Sequence, residues 1–480
     1  MLKENVKIAI IGGGVAGATT AIYLGQLGMN ISLFEKEPSL VSGPPFCHLH
    51  AGGNLYREIS DKQCVTLLKQ SIDFLRFYPF VVDYRPTVIA LPTSDKSTPT
   101  SLLPRLNLLV KEYETLIQKD AKNKVLGESN NYYKLYSRVN LEALKKREIV
   151  KLPHNSDEWM IPVAKNIDLD KIQYPLIIVQ EYGLNLFRLA AGSMLALQEI
   201  DSVKLHTSST VTNIKKKNTL WEINFKSNTE TKHESFDYII NATGFRTGQI
   251  DDMLDAPCKA MVEFKAAYVS KCGNHTDILF PEIIFHGERG TPQGMGQFTP
   301  YPNGYVQLHG MTTNITLYED GLVASSATSC QPKLGKDFVK KIEESWQEEE
   351  TKNRTDAAIQ HLAQFIPSFS TAMVGSKPLF GAQQIPGDDP TLRVAEVSFP
   401  SPRYARCEIV KVSSVIDMVK AIIKEFIQLN YLNASSLKEY DFKSLKNLSE
   451  DQIQKNAASL AISRNYPDSL SYRNISQNNN

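Results

Sequence analysis

Apolar positions fall into two periods along the chain, and the changes of period mark its elements. Val6-Lys7-Ile8-Ala9-Ile10-Ile11 is a β-rich run that predicts a buried parallel strand. Gly12-Gly13-Gly14 follows. From Val15 to Leu27 the spacing turns helical, with Ala18, Ala21, Ile22 and Leu24 small or apolar and Gly28 as the stop. Ile31-Ser32-Leu33-Phe34 predicts a second strand, closing on Glu35. Further on, 209–214 and 221–225 alternate like a hairpin pair, with Lys215-Lys216-Lys217 as a solvated turn. Asp237 to Asn241 predicts an apolar strand that ends in Ala242-Thr243-Gly244. Segments 283–286 and 305–309 read as strands of an antiparallel sheet, with the Gly- and Pro-rich stretch from Gly287 to Gly304 as loops between them. Asp337 to Phe365 is a charged, helix-like stretch whose Glu348-Glu349-Glu350 run is a solvated face. Val412 to Ile427 predicts an apolar helix, one more follows Ser449, and the 475–480 tail has the composition of disorder.

Bulk composition narrows the function classes. At 480 residues the chain exceeds one typical core, so two domains are expected. Hydrophobic residues at 42% and charged residues at 22% suit an ordinary globular protein. Lys plus Arg number 53 against 52 Asp plus Glu, so the basic excess that a nucleic-acid binder needs is missing. Cys47, Cys64, Cys258, Cys272, Cys330 and Cys407 lie far apart with no CxxC spacing. Neither a metal site nor a disulfide framework is expected, and a reducing cytoplasm is the expected compartment. The Val6–Ile11 run is too short for the hydrophobic region of a secretory signal. No stretch reaches the roughly 18 apolar residues that cross a bilayer, although peripheral contact with the inner face of a membrane stays compatible.

The one specific motif is GxGxxG at Gly12, Gly14 and Gly17. The first glycine permits the tight turn, the second lets backbone approach a pyrophosphate, and the third lets helix and strand pack closely. Val15 and Ala16 open the helix whose N-terminus points partial positive charge at the diphosphate. Glu35, followed by Lys36, stands about 20 positions on, where a carboxylate accepts hydrogen bonds from the ribose hydroxyls. Both NAD and FAD carry that half of the ligand. The strand ending in Ala242-Thr243-Gly244 favours FAD, because many FAD enzymes return to the dinucleotide there, and the backbone near Val211 commonly meets the adenine.

With these residues the sequence resembles the D-amino-acid oxidase superfamily of FAD-dependent oxidoreductases, which includes glycine and sarcosine oxidases, glycerol-3-phosphate dehydrogenases and malate oxidoreductases. The N-terminal pattern fits at Gly12, Gly14, Gly17, Ala21, Leu24, Gly28, Ile31 and Glu35. The resemblance implies FAD as cofactor and an α/β fold: a Rossmann-like FAD-binding domain with an interleaved α+β substrate domain built on an antiparallel sheet. It assigns roughly 1–80, 180–255 and 372–430 to the cofactor domain, 81–179 and 256–371 to the substrate domain, and 431–480 to a C-terminal helical extension and polar tail. A loop bearing Ser42, Gly43, His48, His50 and Gly53 would wrap the flavin. In the family a last, glycine-bearing loop brings a helix to the flavin pyrimidine; here 403–408 has no glycine.

The implied reaction is hydride transfer to flavin from a C–H bond beside an amine or hydroxyl of a small acid, with oxygen or a quinone as electron acceptor. Such a site needs a cation for the carboxylate, where Arg binds bidentately, and a group for the amine or hydroxyl proton, where His is suited. The candidates are His48, His50, His286, Arg289, Arg403 and Arg406; against each stands a structural histidine or a surface salt bridge. Cys407 is weighed as a covalent flavin tether, as in some sarcosine-oxidase relatives, against a plain buried thiol. The alternatives are a flavin-dependent monooxygenase or halogenase, for which Gly387-Asp388 offers a superficial second contact, and a flavin-bound protein without turnover, which the glycine-free 403–408 segment favours.

Overall fold

A computed structural model describes residues 5–46, 48–49, 59–227, 230–437 and 442–474. The readings on Cys47, His50, Gly53 and the 475–480 tail lie outside the described residues.

The N-terminal apolar run forms the strand Lys7–Ile11 inside a six-stranded sheet. Across that sheet the order is Val397–Ser401, Tyr404–Cys407, Tyr238–Asn241, Lys7–Ile11, Asn30–Phe34, Val203–His206. Neighbours run parallel except the Val397–Ser401/Tyr404–Cys407 hairpin at one edge. Both faces are covered, which is why these strands read as continuous apolar runs rather than alternations. Ile8, Ile10, Ile31, Leu33 and Ile240 pack under the helices Val15–Gln26, Leu186–Gln198 and Val415–Gln428. Ala9, Ile11, Phe34, Ile239 and Tyr404 pack under a three-stranded antiparallel sheet, Ser209–Lys217, Leu220–Ser227 and Glu230–Phe236.

A nine-stranded mixed sheet forms the second layer. Its order is Leu322–Ala324, Ala260–Lys271, Tyr305–Gly310, Gly296–Pro300, Glu282–Phe285, Thr87–Ala90, Leu176–Val179, Tyr133–Tyr136, with Met373–Pro386 paired along Ala260–Lys271. Side chains alternate between its two faces. Val88, Phe264, Tyr268, Ile283, Phe285, Phe298 and Leu308 join the core under the helices Ser156–Asn166 and Glu348–Ala363. Ile89, Ile177, Val179, Ala267 and Val269 join the core of the first layer instead. The α/β class and the two interleaved sheets therefore match the expected architecture.

Two segments depart from the sequence reading. The stretch from Gly287 to Gly304, read as loops, holds the strand Gly296–Pro300, whose bounding glycine and proline hide a three-residue alternation. Residues 373–386, assigned by sequence to the cofactor domain, extend the nine-stranded sheet. Their Lys377 and Pro378 fall at a register break between the Ser376↔Val269 and Leu379↔Ala267 pairs, where a proline is tolerated. The C-terminal helix Glu450–Ser463, capped by Ser449 and Gln452, buries Ile453, Ala457 and Ala461. Arg188 of the Leu186–Gln198 helix, fully buried, grips its Glu450 at 2.6 Å. No helix among the described residues is long and apolar enough to cross a membrane.

Candidate functional site

The dinucleotide turn lies at the C-terminal ends of the central parallel strands. Gly12 N–H donates to Phe34 O at 2.8 Å, and Ala242 N–H donates to Ile11 O at 2.8 Å, so the two predicted turns are stitched together. Gly12 has φ +98°, and a Cβ on it would stand 2.5 Å from Ala242 O. A Cβ on Gly17 would run into the carbonyl oxygen of Gly12. Gly14 is the opposite case: it caps the Val15–Gln26 helix in extended backbone, no side chain satisfies the first helical N–H groups, and a Cβ on it would meet nothing within 4 Å. Closed packing below and open space above uncapped N–H groups is the cradle that a diphosphate fits.

Glu35 is buried beside that cradle. Its carboxylate accepts from Gly13 N–H at 2.6 Å and Glu37 N–H at 2.8 Å. Burial pushes its pKa up, and those two backbone donors work against the shift. Ser209 N–H donates to Glu35 O at 2.8 Å, which brings the strand carrying Val211 alongside. Thr243 is held by Asn241, and Gly244 takes φ +61° to leave the strand. Lys36 points outward to Glu37. The loop after Glu35 folds back onto the turn: Val41 N–H donates to Gly13 O at 3.0 Å, and buried Leu40 lies over Gly13. Ser42 is exposed, and Gly43 lies against the Phe380 carbonyl of the nine-stranded sheet.

His48 then carries the loop into the second sheet. It is buried, bridges to Gly183, and its Nδ1 lies 2.5 Å from Glu282 Oε1. Arg85 Nη1 donates to Glu282 Oε2 at 2.7 Å, and Gln297 Nε2 donates to Glu282 Oε1 at 2.7 Å. Asp83 stands 3.5 Å from Arg85. Although burial alone would raise it, positive His48 and Arg85 hold the Glu282 carboxyl down at about 2. The neighbouring strands add Thr299, Gln307, His309 and Lys265 on the same face by alternation. Burial, then the charges of Lys265 and His48, push His309 down to about 4. Glu263 bonds Lys265 and Arg289, each at 2.5 Å. A patch of charged and polar groups thus sits on the sheet face that elsewhere supplies Ile89, Ile177, Ala267 and Val269 to the shared core.

The structure brings Gly12, Gly13, Gly14, Val15, Ala16, Gly17, Glu35, Ala242, Thr243 and Gly244 into one turn region, and it brings His48 and Arg289 to the polar face. It does not bring the other candidates there. His286 lies beyond the end of its strand, in a cleft of about 270 Å³ with Pro92, Lys171, His361 and Phe365. Arg403 sits in the turn of the edge hairpin with φ +62°, beside the start of the Tyr238–Asn241 strand and so at the opposite end of the sheet from the glycine turn. Arg406 is buried and committed to Asp251 at 3.0 Å, which also accepts from Tyr404 at 2.6 Å. Cys407 packs into the apolar core under the helices, where burial drives its thiol pKa far up. Within 403–408, Tyr404–Cys407 is a strand of the edge hairpin rather than a loop. Gly387-Asp388 follows the Met373–Pro386 strand into a turn that leads into no helix. Among the described residues no three His, Cys, Asp or Glu side chains cluster as metal ligands.

Sequence reasoning missed Arg85, Glu282, Gln297 and His309. The alternation Gln297-Phe298-Thr299 beside Gln307-Leu308-His309 is the pattern that carries Gln297 and His309.

Comparison with known proteins agrees with this geometry. Residues 7–390 match the family model described as FAD dependent oxidoreductase. No curated protein matches the chain by sequence. Among solved structures, glycerol-3-phosphate dehydrogenase from Bacillus halodurans complexed with FAD superposes with a TM-score of 0.57 at 12% identity, over 98% of this chain and 74% of that one. L-amino acid deaminase from Proteus vulgaris gives 0.55 at 12% identity, over 92% and 97%. Glycine oxidase from Geobacillus kaustophilus gives 0.53 at 10% identity, over 91% and 100%. At such identities these likenesses speak to the fold.

Proposed function

The chain belongs to the FAD-dependent oxidoreductase family, and from that premise we propose that it oxidises the C–H bond next to an amine or hydroxyl of a small acid held against the polar face of the nine-stranded sheet. Bound FAD supplies the hydride acceptor. The observation that carries the reading is the patch of buried His48, Glu282 and Gln297 with half-buried Lys265 and His309 in an otherwise apolar wall. Buried polar groups need partners, and a site built to hydrogen-bond a substrate presents such a set inside an apolar surround.

Each residue has a part in this reading. Arg289 and Lys265 attract the substrate carboxylate, with Glu263 setting their positions. His48, oriented through Nδ1 by Glu282, holds or moves the amine or hydroxyl proton, as an imidazole aligned by a carboxylate does elsewhere. The apolar residues around the patch exclude water and strengthen these charges. Electrons leave to oxygen or a quinone. The five described cysteines are free thiols, which supports a reducing cytoplasm, with contact at the inner face of a membrane where a quinone is the acceptor.

The test is anaerobic bleaching of the flavin absorption bands by panels of amino acids and 2-hydroxy acids. Bleaching by one panel, slowed about 10²–10⁴-fold in His48→Asn with FAD retained, is expected. Bleaching by neither panel overturns the substrate class, and an unslowed variant removes His48 from the chemistry.

A further inference from the structure

The C-terminal segment reaches the cofactor site. Arg464 caps the end of the Glu450–Ser463 helix and turns its guanidinium into the loop that follows Glu35. Nη2 donates to Leu40 O at 2.6 Å and Ser39 Oγ at 2.9 Å, and Nη1 donates to Val41 O at 3.0 Å. Those are the residues keyed into the glycine turn, through Leu40 over Gly13 and Val41 N–H on Gly13 O. Among the described residues every hydrogen bond of Arg464 goes to a neutral oxygen, and the carboxylates of Glu35 and Glu37 act on it only at longer range. Lys377, 4.7 Å from the ring centroid of Tyr466, is a second cation on the same side.

We propose that Arg464 is a cofactor-positioning residue: it clamps Ser39-Leu40-Val41 onto the glycine turn and lends the dinucleotide cradle a guanidinium from outside the N-terminal motif. The motif itself has no basic residue between Gly12 and Glu35, and Arg464 adds to the helix N–H groups a positive charge from outside it. The fork geometry explains the residue type, since one planar guanidinium spans three acceptors on consecutive residues. Val41, held at φ +53°, lies in a conformation that a free loop abandons, which is the kind of backbone a clamp maintains.

The experiment is FAD affinity of the full-length apoprotein, by flavin fluorescence quenching and equilibrium dialysis, together with melting temperature with and without saturating FAD. Arg464→Ala is expected to raise Kd about tenfold and to shrink the FAD-induced gain in Tm. Arg464→Lys, keeping the charge without the fork, falls between. Tyr466→Phe, which loses a 2.7 Å bond to Pro378 O in the other sheet, is the control and keeps the parental Kd. An unchanged Kd in Arg464→Ala overturns the proposal, and so does an equal loss in Tyr466→Phe, which reduces Arg464 to general support. If Arg464→Ala does not fold, Arg464→Lys and Ser39→Ala decide by the same criterion: weakened FAD binding sustains the clamp, parental binding removes it.

Discussion

Glu282→Gln tests the buried network most directly. The replacement keeps the volume of the side chain, so no cavity contributes, and Gln can still accept a bond from Gln297. What it removes is the charge between Arg85 and His48, both almost wholly inaccessible. Two routes give the size of the loss. Removing one partner of a buried ion pair typically costs about 3–5 kcal/mol. Independently, a carboxyl held at about 2 in place of 4.5 corresponds to about 3 kcal/mol at 1.36 kcal/mol per pH unit. The pKa is depressed on folding, so that stability is fully present above about pH 4.5 and is lost as pH falls toward 2. For a chain of 480 residues, about 3 kcal/mol lowers Tm by about 3–6 °C, half the per-kcal shift of a 200-residue protein. Differential scanning calorimetry at one scan rate should show a constant deficit from pH 8 to 5 that narrows below 4.5. A variant within about 1 °C of the parent at pH 7, or a deficit that does not narrow in acid, refutes the assignment of an ionised Glu282 at the centre of the site.

Four further variants have expected outcomes. Gly17→Ala drives a methyl group into Gly12 O, so the protein should purify without flavin colour; a normal flavin spectrum would contradict the close packing. Arg406→Met strands fully buried Asp251 and should cost about 3–5 kcal/mol in denaturant unfolding, whereas Arg403→Gly, at φ +62°, should gain up to about 1 kcal/mol and keep its turnover; lost turnover in Arg403→Gly would return that residue to the site. His309, pushed down to about 4 chiefly by burial, resists protonation in the fold, so it destabilises progressively as pH falls from 6.5 to 4; His309→Gln should flatten that limb of the Tm–pH curve, and an imidazole resonance titrating above pH 6 would refute the placement.

The part of the molecule legible in the sequence is the part whose physics is local. Gly12, Gly14, Gly17, Gly28 and Glu35 act within one strand–helix–strand unit, so the spacing along the chain is the geometry. Glu282, Gln297 and His309 lie in separate strands and Arg85 in the loop before a fourth, so they meet only after the nine-stranded sheet forms; taken singly, each has the composition of a surface residue. His286 and Arg289 illustrate the difference: three residues apart, one ends in the cleft at the strand ends and the other at the polar face, because the chain turns between them. Arg403 and Arg406 misled for a related reason. The 403–408 segment precedes an apolar helix, as the resemblance requires, but pairing with Val397–Ser401 makes 404–407 a strand and turns Arg406 onto Asp251.

The described residues between Glu35 and His48 have almost no regular structure, and an irregular loop that meets a ligand holds it well only when ordered before the ligand arrives, since ordering on binding subtracts from affinity. Its two ends are fixed by groups far away in sequence. Arg464 holds 39–41 from the C-terminal helix, and Glu282 holds His48 from the second sheet. These two anchorages are themselves connected: Asn474, ten residues beyond Arg464, donates to Asp83 Oδ2 at 2.9 Å, and Asp83 stands against the Arg85 that grips Glu282. The C-terminal extension therefore braces this stretch at its start directly and at its end through three buried charges. That arrangement gives a reason why residues 449–474, which lie outside both sheets, pack across the junction of the two layers.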